Sequence, residues 1–300
     1  MLRQVYLEQG SDEWLSWRRN GITATEVSCI HGTSKWGTAL TVYHDKLNPA
    51  APKESAVMEW GSRIEPVIRR KFADAHPDLK VSEGGCYEDG WMRCSLDGEV
   101  GDDAILEIKT TRSDDEWDPV PKGYYDQVQW QMLVTGRRKT YFAVLVNGYQ
   151  YFEREVPFDE EYAKSLCEKA KAVWDCVCSK VPPEPSDTHP ELDQPLLSAA
   201  AVEANPDDDG FEVPKGLASR WEKINAVHDA VQLELARLKA QITKLLAEHA
   251  KLYHNGKRFA SMVKVSGRES FDSKRFKSEH PDEYAKYVKV GQPMSYPKIG

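Results

Sequence analysis

The sequence predicts an α/β fold in which a central mixed sheet is flanked by helices. Two observations support this prediction: helical and extended segments alternate along the first 180 residues, and their order is helix, helix, strands, helix, strands, helix. Such an order is typical of α/β domains. The predicted helices, in which apolar residues recur with the helical period, are Ser11 to Arg19, Thr23 to His31, Ala56 to Ala75, Tyr124 to Thr135 and Asp159 to Cys178.

Alternating apolar and polar residues predict the strands that lie between these helices. The predicted strands are Met92 to Leu96, Ala104 to Thr111, Thr140 to Val146 and Tyr149 to Val156. The last two are separated by Asn147-Gly148, a pair that favours a tight hairpin turn because both residues tolerate a positive φ. We therefore expect these two strands to pair with each other in antiparallel fashion.

Charge divides the chain into three regions. Of the 300 residues, 1 to 180 carry 23 basic and 30 acidic side chains, 181 to 214 carry nine acidic and no Lys or Arg, and 215 to 300 carry 17 basic and nine acidic. The middle region is also rich in Pro and Ala and lacks a sustained hydrophobic period. We predict an α/β domain at 1–180, an acidic, partly disordered linker at 181–214, and a basic helical module at 215–300 that binds DNA or a partner protein, or forms oligomers.

A long amphipathic helix is predicted at the start of the basic module. Its apolar seam follows a 4-3 spacing over five heptads, through Leu217, Trp221, Ile224, His228, Val231, Leu235, Leu238, Ile242, Leu245, His249 and Leu252. Two interpretations remain open: the helix packs on its own domain, or it forms an intermolecular coiled coil. The two histidines on the seam argue slightly against the coiled coil. A strand at Arg258 to Ser266 and a basic segment at Phe271 to Val290 follow.

Cysteine usage and the N-terminus indicate the cellular compartment. The six cysteines form no CxxC pair, so neither a zinc site nor a disulfide framework is predicted. The first six residues lead directly into charged sequence, and no apolar stretch approaches 18 residues. We expect a cytoplasmic protein with reduced thiols and no membrane association.

The strongest local motif is Asp97 followed ten residues later by Glu107-Ile108-Lys109. Side chains alternate between the two faces of a strand, so Glu107 and Lys109 are expected on one face, with Leu106 and Ile108 on the other. Asp97 ends the preceding predicted strand, before a glycine-containing turn. Two carboxylates and an ammonium group would then converge. A D…ExK pattern alone also fits an exposed hairpin with an ordinary Glu-Lys pair.

The convergent carboxylates suggest a metal-dependent phosphodiester hydrolase. Carboxylate oxygens are hard ligands suited to Mg²⁺, for which Mn²⁺ can substitute, and one or two ions are compatible with the motif. The bound cation would polarise a phosphate and lower the pKa of a water molecule, and Lys109 would orient that water and stabilise developing charge.

Together with further segments in the same order, this motif resembles the YqaJ-like viral recombinase (phage lambda exonuclease) family of the PD-(D/E)xK nuclease superfamily, over residues 11 to about 178. Besides Asp97 to Lys109, the matching segments are Trp14 to Glu26, Glu59 to Glu65 and Tyr124 to Gln131. Here Ser95-Leu96 replaces the proline that gives the superfamily its name. The resemblance implies a restriction-endonuclease-like core.

The resemblance also implies roles for individual residues. The implied metal ligands are Glu65, Asp97, Glu107 and the backbone carbonyl of Ile108. Tyr124 and Gln127 would position the metal-bound water or the scissile phosphate. The implied contacts to a 5'-phosphate are Arg18, Thr23, Thr25, Ser95 and Arg112, the last without a clean alignment. Taken singly, Thr23 fits a helix cap and Glu65 a solvated helix residue equally well.

The function implied by the resemblance is Mg²⁺-dependent 5'-to-3' exonuclease activity on double-stranded DNA, which leaves 3' overhangs for single-strand annealing. A trimeric ring and a single-strand-annealing protein partner are implied as well. Two alternatives stay open: an endonuclease or structure-selective nuclease, and a non-catalytic scaffold that binds DNA ends or the annealing protein.

Overall fold

A computed structural model describes residues 2–48, 56–112, 117–202, 210–264, 267 and 270–289. The chain divides into two compact units, Met1–Glu203 and Ala204–Met294, and each is described by itself. None of the helices in the described ranges is both long and apolar enough to cross a lipid bilayer.

The N-terminal unit alternates helices and strands. In chain order its elements are β1 (Arg3–Val5), α1 (Asp12–Arg19), β2 (Ile22–Thr23), α2 (Ala24–His31), α3 (Ala39–Leu47), α4 (Ala56–Ala75), β3 (Val81–Glu83), β4 (Cys86–Asp89), β5 (Met92–Ser95), β6 (Gly98–Val100), β7 (Ala104–Thr111), α5 (Lys122–Thr135), β8 (Lys139–Val146), β9 (Gln150–Pro157), α6 (Glu160–Ser179) and α7 (Pro190–Val202). The five helices predicted from the sequence are all present, within two residues of the expected bounds.

The strands form two sheets. The larger has the order β3-β6-β7-β8-β9, in which β7 and β8 are parallel and the other pairs antiparallel. The smaller has the order β1-β4-β5-β2, with β5 and β2 parallel. The predicted hairpin between β8 and β9 is confirmed, and Asn147 and Gly148 both have positive φ, at 52° and 81°. The α/β class with a mixed sheet flanked by helices is therefore confirmed.

The larger sheet is covered on both faces. On one face Leu106 and Ile108 of β7 pack with Ile68 and Phe72 of α4. On the other face Ile105 belongs to a larger core with Trp130 of α5, to which β8 and α6 also contribute. Because β7 lies inside the sheet and between two helices, its polar residues are held in a largely buried setting.

The segment around Asp97 differs from the sequence expectation. Asp97 does not lie at a turn that returns β5 upon itself, because β5 belongs to the smaller sheet. The chain instead passes through Leu96 and Asp97 into β6 of the larger sheet, and β6 then pairs with β7. In the β6–β7 register Gly98 lies opposite Leu106, so the next position places Asp97 opposite Glu107.

The segment predicted as a linker at 181–214 contains a helix, α7. Asp193 of this helix is fully buried and accepts hydrogen bonds from the Thr38 hydroxyl at the start of α3 and from the Ser186 backbone N–H (2.7 Å). This corrects the expectation of a segment without regular structure for residues 190–202. Residues 203–209 of the predicted linker lie outside the described ranges.

The C-terminal unit consists of one long helix and smaller elements. They are α8 (Lys215–Glu248), β10 (Lys251–His254), β11 (Lys257–Ser261), α9 (Ser273–Glu279) and α10 (Pro281–Tyr287). The predicted helix was expected to continue to Leu252, but it ends at Glu248 and Leu252 lies in β10, which pairs with β11. The strand expected from Arg258 to Ser266 ends at Ser261, and residues 265–266 lie outside the described ranges. The last residue of the basic segment predicted from Phe271 to Val290 lies outside them as well.

Candidate active site

The polar side chains of β7 emerge on the side of the sheet that α5 covers. Glu107 and Lys109 lie on this side and contact each other, with 2.5 Å between Lys109 Nζ and Glu107 Oε1. Leu106 and Ile108 pack on the opposite side, against α4. The predicted alternation along β7 is therefore confirmed.

Glu107 is fully buried and is surrounded by hydrogen-bond donors. Besides Lys109, the Gln127 side-chain amide donates to Oε1 (2.6 Å) and the Gln131 amide donates to Oε2 (2.8 Å). Both glutamines lie on one face of α5, because residues four apart in a helix are neighbours. A buried carboxylate is stable only with such partners, so α5 fixes the position of Glu107.

Asp97 is held beside Glu107 by two backbone contacts. Its Oδ2 accepts a hydrogen bond from the Ile108 N–H (2.8 Å), and its own carbonyl accepts one from Arg69 Nη1 of α4 (2.9 Å). Burial and the negative charges of Glu107 and Glu65 raise the pKa of Asp97 well above its ordinary value, although Lys109 and the Ile108 N–H act in the opposite direction.

Glu65 approaches the same place from α4. Its carboxylate is half-buried, and its Oε1 lies 3.8 Å from Arg69 Nη2. Burial raises the pKa of Glu65, Arg69 lowers it, and the charge of Glu107 raises it again. Glu65, Asp97 and Glu107 therefore repel one another electrostatically, and this is the setting that a bound cation relieves. We call the group of Glu65, Asp97, Glu107 and Lys109 the carboxylate centre.

Lys109 and Tyr124 form the open side of the carboxylate centre. Burial lowers the pKa of Lys109, but the charges of Glu107 and Asp97 more than offset this and leave the pKa above its ordinary value. The ammonium group also lies 5.0 Å from the centre of the Tyr124 ring, which in turn stacks on Trp117 at 5.4 Å. Tyr124 is partly exposed, so the ring that borders the Lys109 ammonium reaches the surface.

Within the described ranges, no three His, Cys, Asp or Glu side chains are arranged as a ready-made metal cluster. The carboxylate oxygens instead accept hydrogen bonds: Lys109 and Gln127 donate to Glu107 Oε1, and the Ile108 N–H donates to Asp97 Oδ2. The donor types nevertheless suit a hard cation such as Mg²⁺. Gln131 Oε1 is also buried without a hydrogen-bond partner among the described residues, so an acceptor is available beside Glu107.

A second polar cluster lies at the N-terminus of α2. Arg18 Nη2 lies 3.0 Å from Thr25 Oγ1 and 3.4 Å from Thr23 Oγ1, and the two hydroxyl oxygens are 3.3 Å apart. Thr23 is the N-cap of α2 and Thr25 belongs to its first turn. The structure thus brings together an arginine, two hydroxyls and a helix N-terminus, which are the parts of an anion site. We call this cluster the Arg18 pocket.

Trp14 connects the Arg18 pocket with Ser95. The Arg18 guanidinium lies over the Trp14 ring, 4.5 Å from its centroid, and Trp14 Nε1 donates to Ser95 Oγ (3.1 Å). Ser95 precedes Asp97 by two residues, which span at most about 7 Å of chain. Trp14 therefore links the Arg18 pocket to the strand that leads into the carboxylate centre.

A buried ion pair between Lys46 and Glu26 contacts the backbone of Arg18 and Thr23 in the Arg18 pocket. Lys46 of α3, which is almost fully buried, lies 2.8 Å from Glu26 and donates to the Arg18 carbonyl (2.7 Å). Glu26 also accepts from the Thr23 N–H (2.8 Å), which completes one arm of a capping box. Burial lowers the pKa of Arg18, while Glu26 opposes this effect.

Among the described residues, Arg112 takes no part in the hydrogen bonds given above for either cluster. It is exposed just beyond the end of β7, and no contact joins it to the described residues of the Arg18 pocket. Its assignment as a phosphate contact therefore rests on the sequence alone.

The sequence analysis did not assign roles to Gln131, Arg69 or Trp14. A signal existed for Gln131, because it follows Gln127 by four residues and so shares its helix face. Arg69 likewise follows Glu65 by four residues. Trp14 precedes Arg18 by four, and its partner Ser95 lies 81 residues away, so this link requires the tertiary structure.

Comparison with known proteins identifies a family that part of the chain resembles. Residues 13–138 match the family described as the YqaJ-like viral recombinase domain. The residues that form the two clusters, from Trp14 to Gln131, lie within this matched range. A curated relative, an uncharacterized protein YqaJ of Bacillus subtilis (strain 168), is 32% identical over 180 residues, which cover 56% of this chain and 56% of that protein.

Solved structures also resemble the part of the chain that contains residues 13–138. An alkaline exonuclease (LHK-Exo) from Laribacter hongkongensis aligns with a TM-score of 0.48 and 21% identity over 65% of this chain and 100% of that one. A phage-related exonuclease from Haemophilus somnus 129PT aligns with a TM-score of 0.45 and 11% identity over 54% of this chain and 95% of that one. At these scores the likeness carries no argument about chemistry.

Proposed function

We propose that the N-terminal unit is a divalent-metal-dependent DNA exonuclease that degrades duplex DNA from its 5' ends and leaves 3' overhangs. The observation that carries this proposal is the convergence of Asp97, Glu107 and Lys109 on adjoining strands, beside Glu65 of α4. The family of residues 13–138 supports it, because viral recombinases act on nucleic acid. The proposal extends to Mg²⁺ as the natural ion, with Mn²⁺ as a substitute.

The carboxylate centre supplies the parts that this chemistry needs. Glu65, Asp97, Glu107 and the Ile108 carbonyl would hold the cation, which when bound polarises the scissile phosphate and lowers the pKa of a coordinated water. Lys109 stays protonated, because the carboxylates raise its pKa, and its ammonium stabilises charge that develops on the phosphate. Gln127 and Gln131 keep Glu107 oriented, and Tyr124 borders the approach to Lys109.

Substitution of the carboxylate centre tests the catalytic part of the proposal. Asp97→Asn, Glu107→Gln, Lys109→Ala and Glu65→Gln are each expected to reduce Mg²⁺-dependent digestion of end-labelled duplex DNA at least 100-fold. Glu59→Gln provides a matched control, because Glu59 lies on the same helix as Glu65 but forms an exposed pair with Arg63. Wild-type rates in any of the four variants would remove that residue from the mechanism.

The Arg18 pocket supports an exonuclease over an endonuclease, because it offers an anion site that Trp14 and Ser95 link to the carboxylate centre. A terminal 5'-phosphate bound there would place the first phosphodiester bond near Asp97. Arg18→Ala is expected to lower digestion of 5'-phosphorylated ends about tenfold or more and to reduce the preference over 5'-hydroxyl ends, since hydrogen bonds to a charged group contribute about 1.5–3 kcal/mol. Arg19→Ala, at the exposed neighbouring position, should leave both rates unchanged.

Two outcomes would favour an endonuclease or a scaffold instead. Cleavage of covalently closed circular DNA at a rate similar to that of linear DNA would identify an endonuclease. Absence of Mg²⁺ and Mn²⁺ binding in calorimetry, together with tight binding of DNA ends, would identify a scaffold without catalysis. Analysis of products labelled at the 5' or 3' end gives the direction of digestion directly.

The proposal includes assembly and a partner. The family resemblance implies a ring of three copies and a single-strand-annealing protein that receives the 3' overhang. Measurement of the particle mass by light scattering tests the ring. Co-purification with a single-strand-annealing protein tests the partner, and loss of binding on removal of residues 215–300 would assign that interaction to the C-terminal unit.

A further inference from the structure

The long helix α8 leaves its apolar seam uncovered. None of its 34 residues is buried. Seven large apolar side chains of the seam are between 43% and 62% exposed: Leu217, Trp221, Ile224, Val231, Leu235, Leu238 and Leu245. Isolated helices depend on packing of their apolar face for most of their stability, and contiguous exposed apolar patches of this kind mark interaction sites. The seam therefore requires an occupant.

The spacing of the seam identifies the class of occupant. The 4-3 alternation places Trp221, His228, Leu235 and Ile242 at a positions of a heptad repeat, and Leu217, Ile224, Val231, Leu238 and Leu245 at d positions. A strict a/d seam fits another helix that has the same repeat, because knobs of one helix enter holes of the other only when both periods agree. A second copy of α8 has an agreeing repeat, because its sequence is identical.

The flanking charges indicate the direction of pairing. Glu234 occupies a g position and Lys239 the e position of the next heptad. In a parallel, in-register pair, a g residue of one helix faces the following e residue of the other. Two equivalent ion pairs then form, each between Glu234 of one copy and Lys239 of the other. Within one helix, Glu234 pairs with Arg237 at 3.4 Å and not with Lys239.

The available area matches a weak, reversible pairing. The seam from Leu217 to Leu245 is about 43 Å long and about 10 Å wide, so it offers roughly 430 Å² per copy. Two copies then bury about 860 Å², the size of a weak or transient association. His228 at an a position lowers the stability of such a pair further, since polar a residues weaken a coiled coil.

We infer that α8 is a self-association element, which pairs two copies of this chain as a parallel, in-register coiled coil along the seam from Leu217 to Leu245. This goes beyond the proposed nuclease function and does not depend on it. It also differs from a ring held by the N-terminal units, because the contact lies in the C-terminal unit.

Cysteine cross-linking in the full chain tests the inference. Ile224→Cys and Leu245→Cys, introduced singly and separated by three heptads, should each yield several-fold more disulfide-linked dimer than the wild type under mild oxidation. Leu233→Cys is the matched control: it is equally exposed (54%) but lies at an f position away from the seam. It should give no more dimer than the native cysteines give.

Each outcome bears on the inference. No increase for either seam variant would overturn the parallel, in-register pair, because an antiparallel pair brings equivalent residues together only near its midpoint at Val231. An increase for only one of them would overturn a pair that stays in register along the whole seam. An increase for Leu233→Cys as large as for the seam variants would overturn the assignment of the seam as the contact surface.

A second substitution separates association from misfolding. Val231→Glu, added to Ile224→Cys, places a charge one heptad away on the seam and should reduce cross-linking to the wild-type level. Leu233→Glu, added in the same way, should leave it unchanged. Because cross-linking is measured without metal or DNA, its failure is distinguishable from failure of the nuclease proposal.

Discussion

At the scale of single residues, Glu107 shows how a buried carboxylate is made compatible with a sheet interior. Three donors converge on it, and two of them come from α5. Gln131→Ala removes one donor and leaves Glu107 Oε2 without a partner, which is expected to cost about 1–3 kcal/mol of unfolding free energy. It should also lower kcat for DNA digestion about 10- to 100-fold, the usual effect of losing support for a metal ligand.

Gln129→Ala provides the comparison, because Gln129 is equally buried on the same helix but faces away from β7. It donates to the Pro157 carbonyl (2.8 Å) and accepts from the Asp159 N–H (2.9 Å). Urea unfolding should show a similar loss of stability for the two variants, whereas only Gln131→Ala should lose activity. Equal activity losses would mean that α5 acts on catalysis through stability alone.

Asp97 links the carboxylate centre to the pH dependence of folding. Burial, Glu107 and Glu65 raise its pKa above the value of about 4 in the unfolded chain. The folded state therefore binds this proton more tightly, so its stabilising contribution is complete below the unfolded pKa and is lost as the pH rises through the folded pKa. In EDTA, Asp97→Asn is expected to have a higher Tm than the wild type at pH 8, with a smaller difference at pH 5.

Asp102→Asn controls for a general charge effect, since Asp102 lies on the exposed turn between β6 and β7. Thermal unfolding of the three proteins at both pH values is the measurement. A wild-type protein that is more stable than Asp97→Asn at pH 8 would contradict the electrostatic picture. Such a result would mean that the pairing of Asp97 with Lys109 outweighs burial and the neighbouring carboxylates.

At the scale of elements, a buried carboxylate of α7 contacts the start of α3. Asp193 receives the Thr38 hydroxyl and the Ser186 N–H, so Asp193→Ala leaves two donors without partners. The expected loss is about 1–3 kcal/mol in the unfolding free energy, together with faster proteolysis between residues 181 and 202. Asp187→Ala, at an exposed position of the same segment, should change neither. Unchanged proteolysis of Asp193→Ala would show that other contacts hold α7.

The elements differ in how far the sequence could predict them. Strand β7 was predictable to the residue, because its apolar positions alternate between two buried faces. Helix α7 was not, since its attachment depends on an acidic residue whose partner Thr38 lies 155 positions away. Strand β2 was also missed, because it has only two residues and is defined by its pairing with β5.

The candidate site also contains parts that the sequence could predict and parts that it could not. The sequence placed Glu107 and Lys109 on one face of β7, because alternation is a local property. It predicted a turn directly after Asp97, whereas the chain continues into β6, because the passage from the smaller to the larger sheet at Leu96 depends on pairing that local sequence does not encode. The contact of Trp14 with Ser95 is of the same non-local kind.

At the scale of the whole molecule, charge is divided between the two units. The chain up to residue 214 carries 23 basic and 39 acidic side chains, whereas residues 215 to 300 carry 17 basic and nine acidic. Because phosphate contacts by Lys and Arg dominate non-specific affinity for DNA, the C-terminal unit is expected to supply much of it. The chain ending at Pro214 should bind duplex DNA more weakly in EDTA, with a salt dependence of log K that is shallower by about 0.9 for each phosphate that the missing unit would neutralise.

Truncation also removes α8, so a full-length variant is needed to separate charge from self-association. Lys257 and Arg258 are exposed on β11, away from the seam, and residues 249 to 264 contain no Asp or Glu. The double substitution Lys257→Ala and Arg258→Ala should therefore weaken binding of duplex DNA. The salt dependence of log K should become shallower by the amount expected for up to about two phosphates. Cross-linking through Ile224→Cys should persist in the same variant. If the truncated chain binds DNA weakly but this variant binds like the wild type, the C-terminal unit acts on DNA affinity by pairing two nuclease units and not by its own charge.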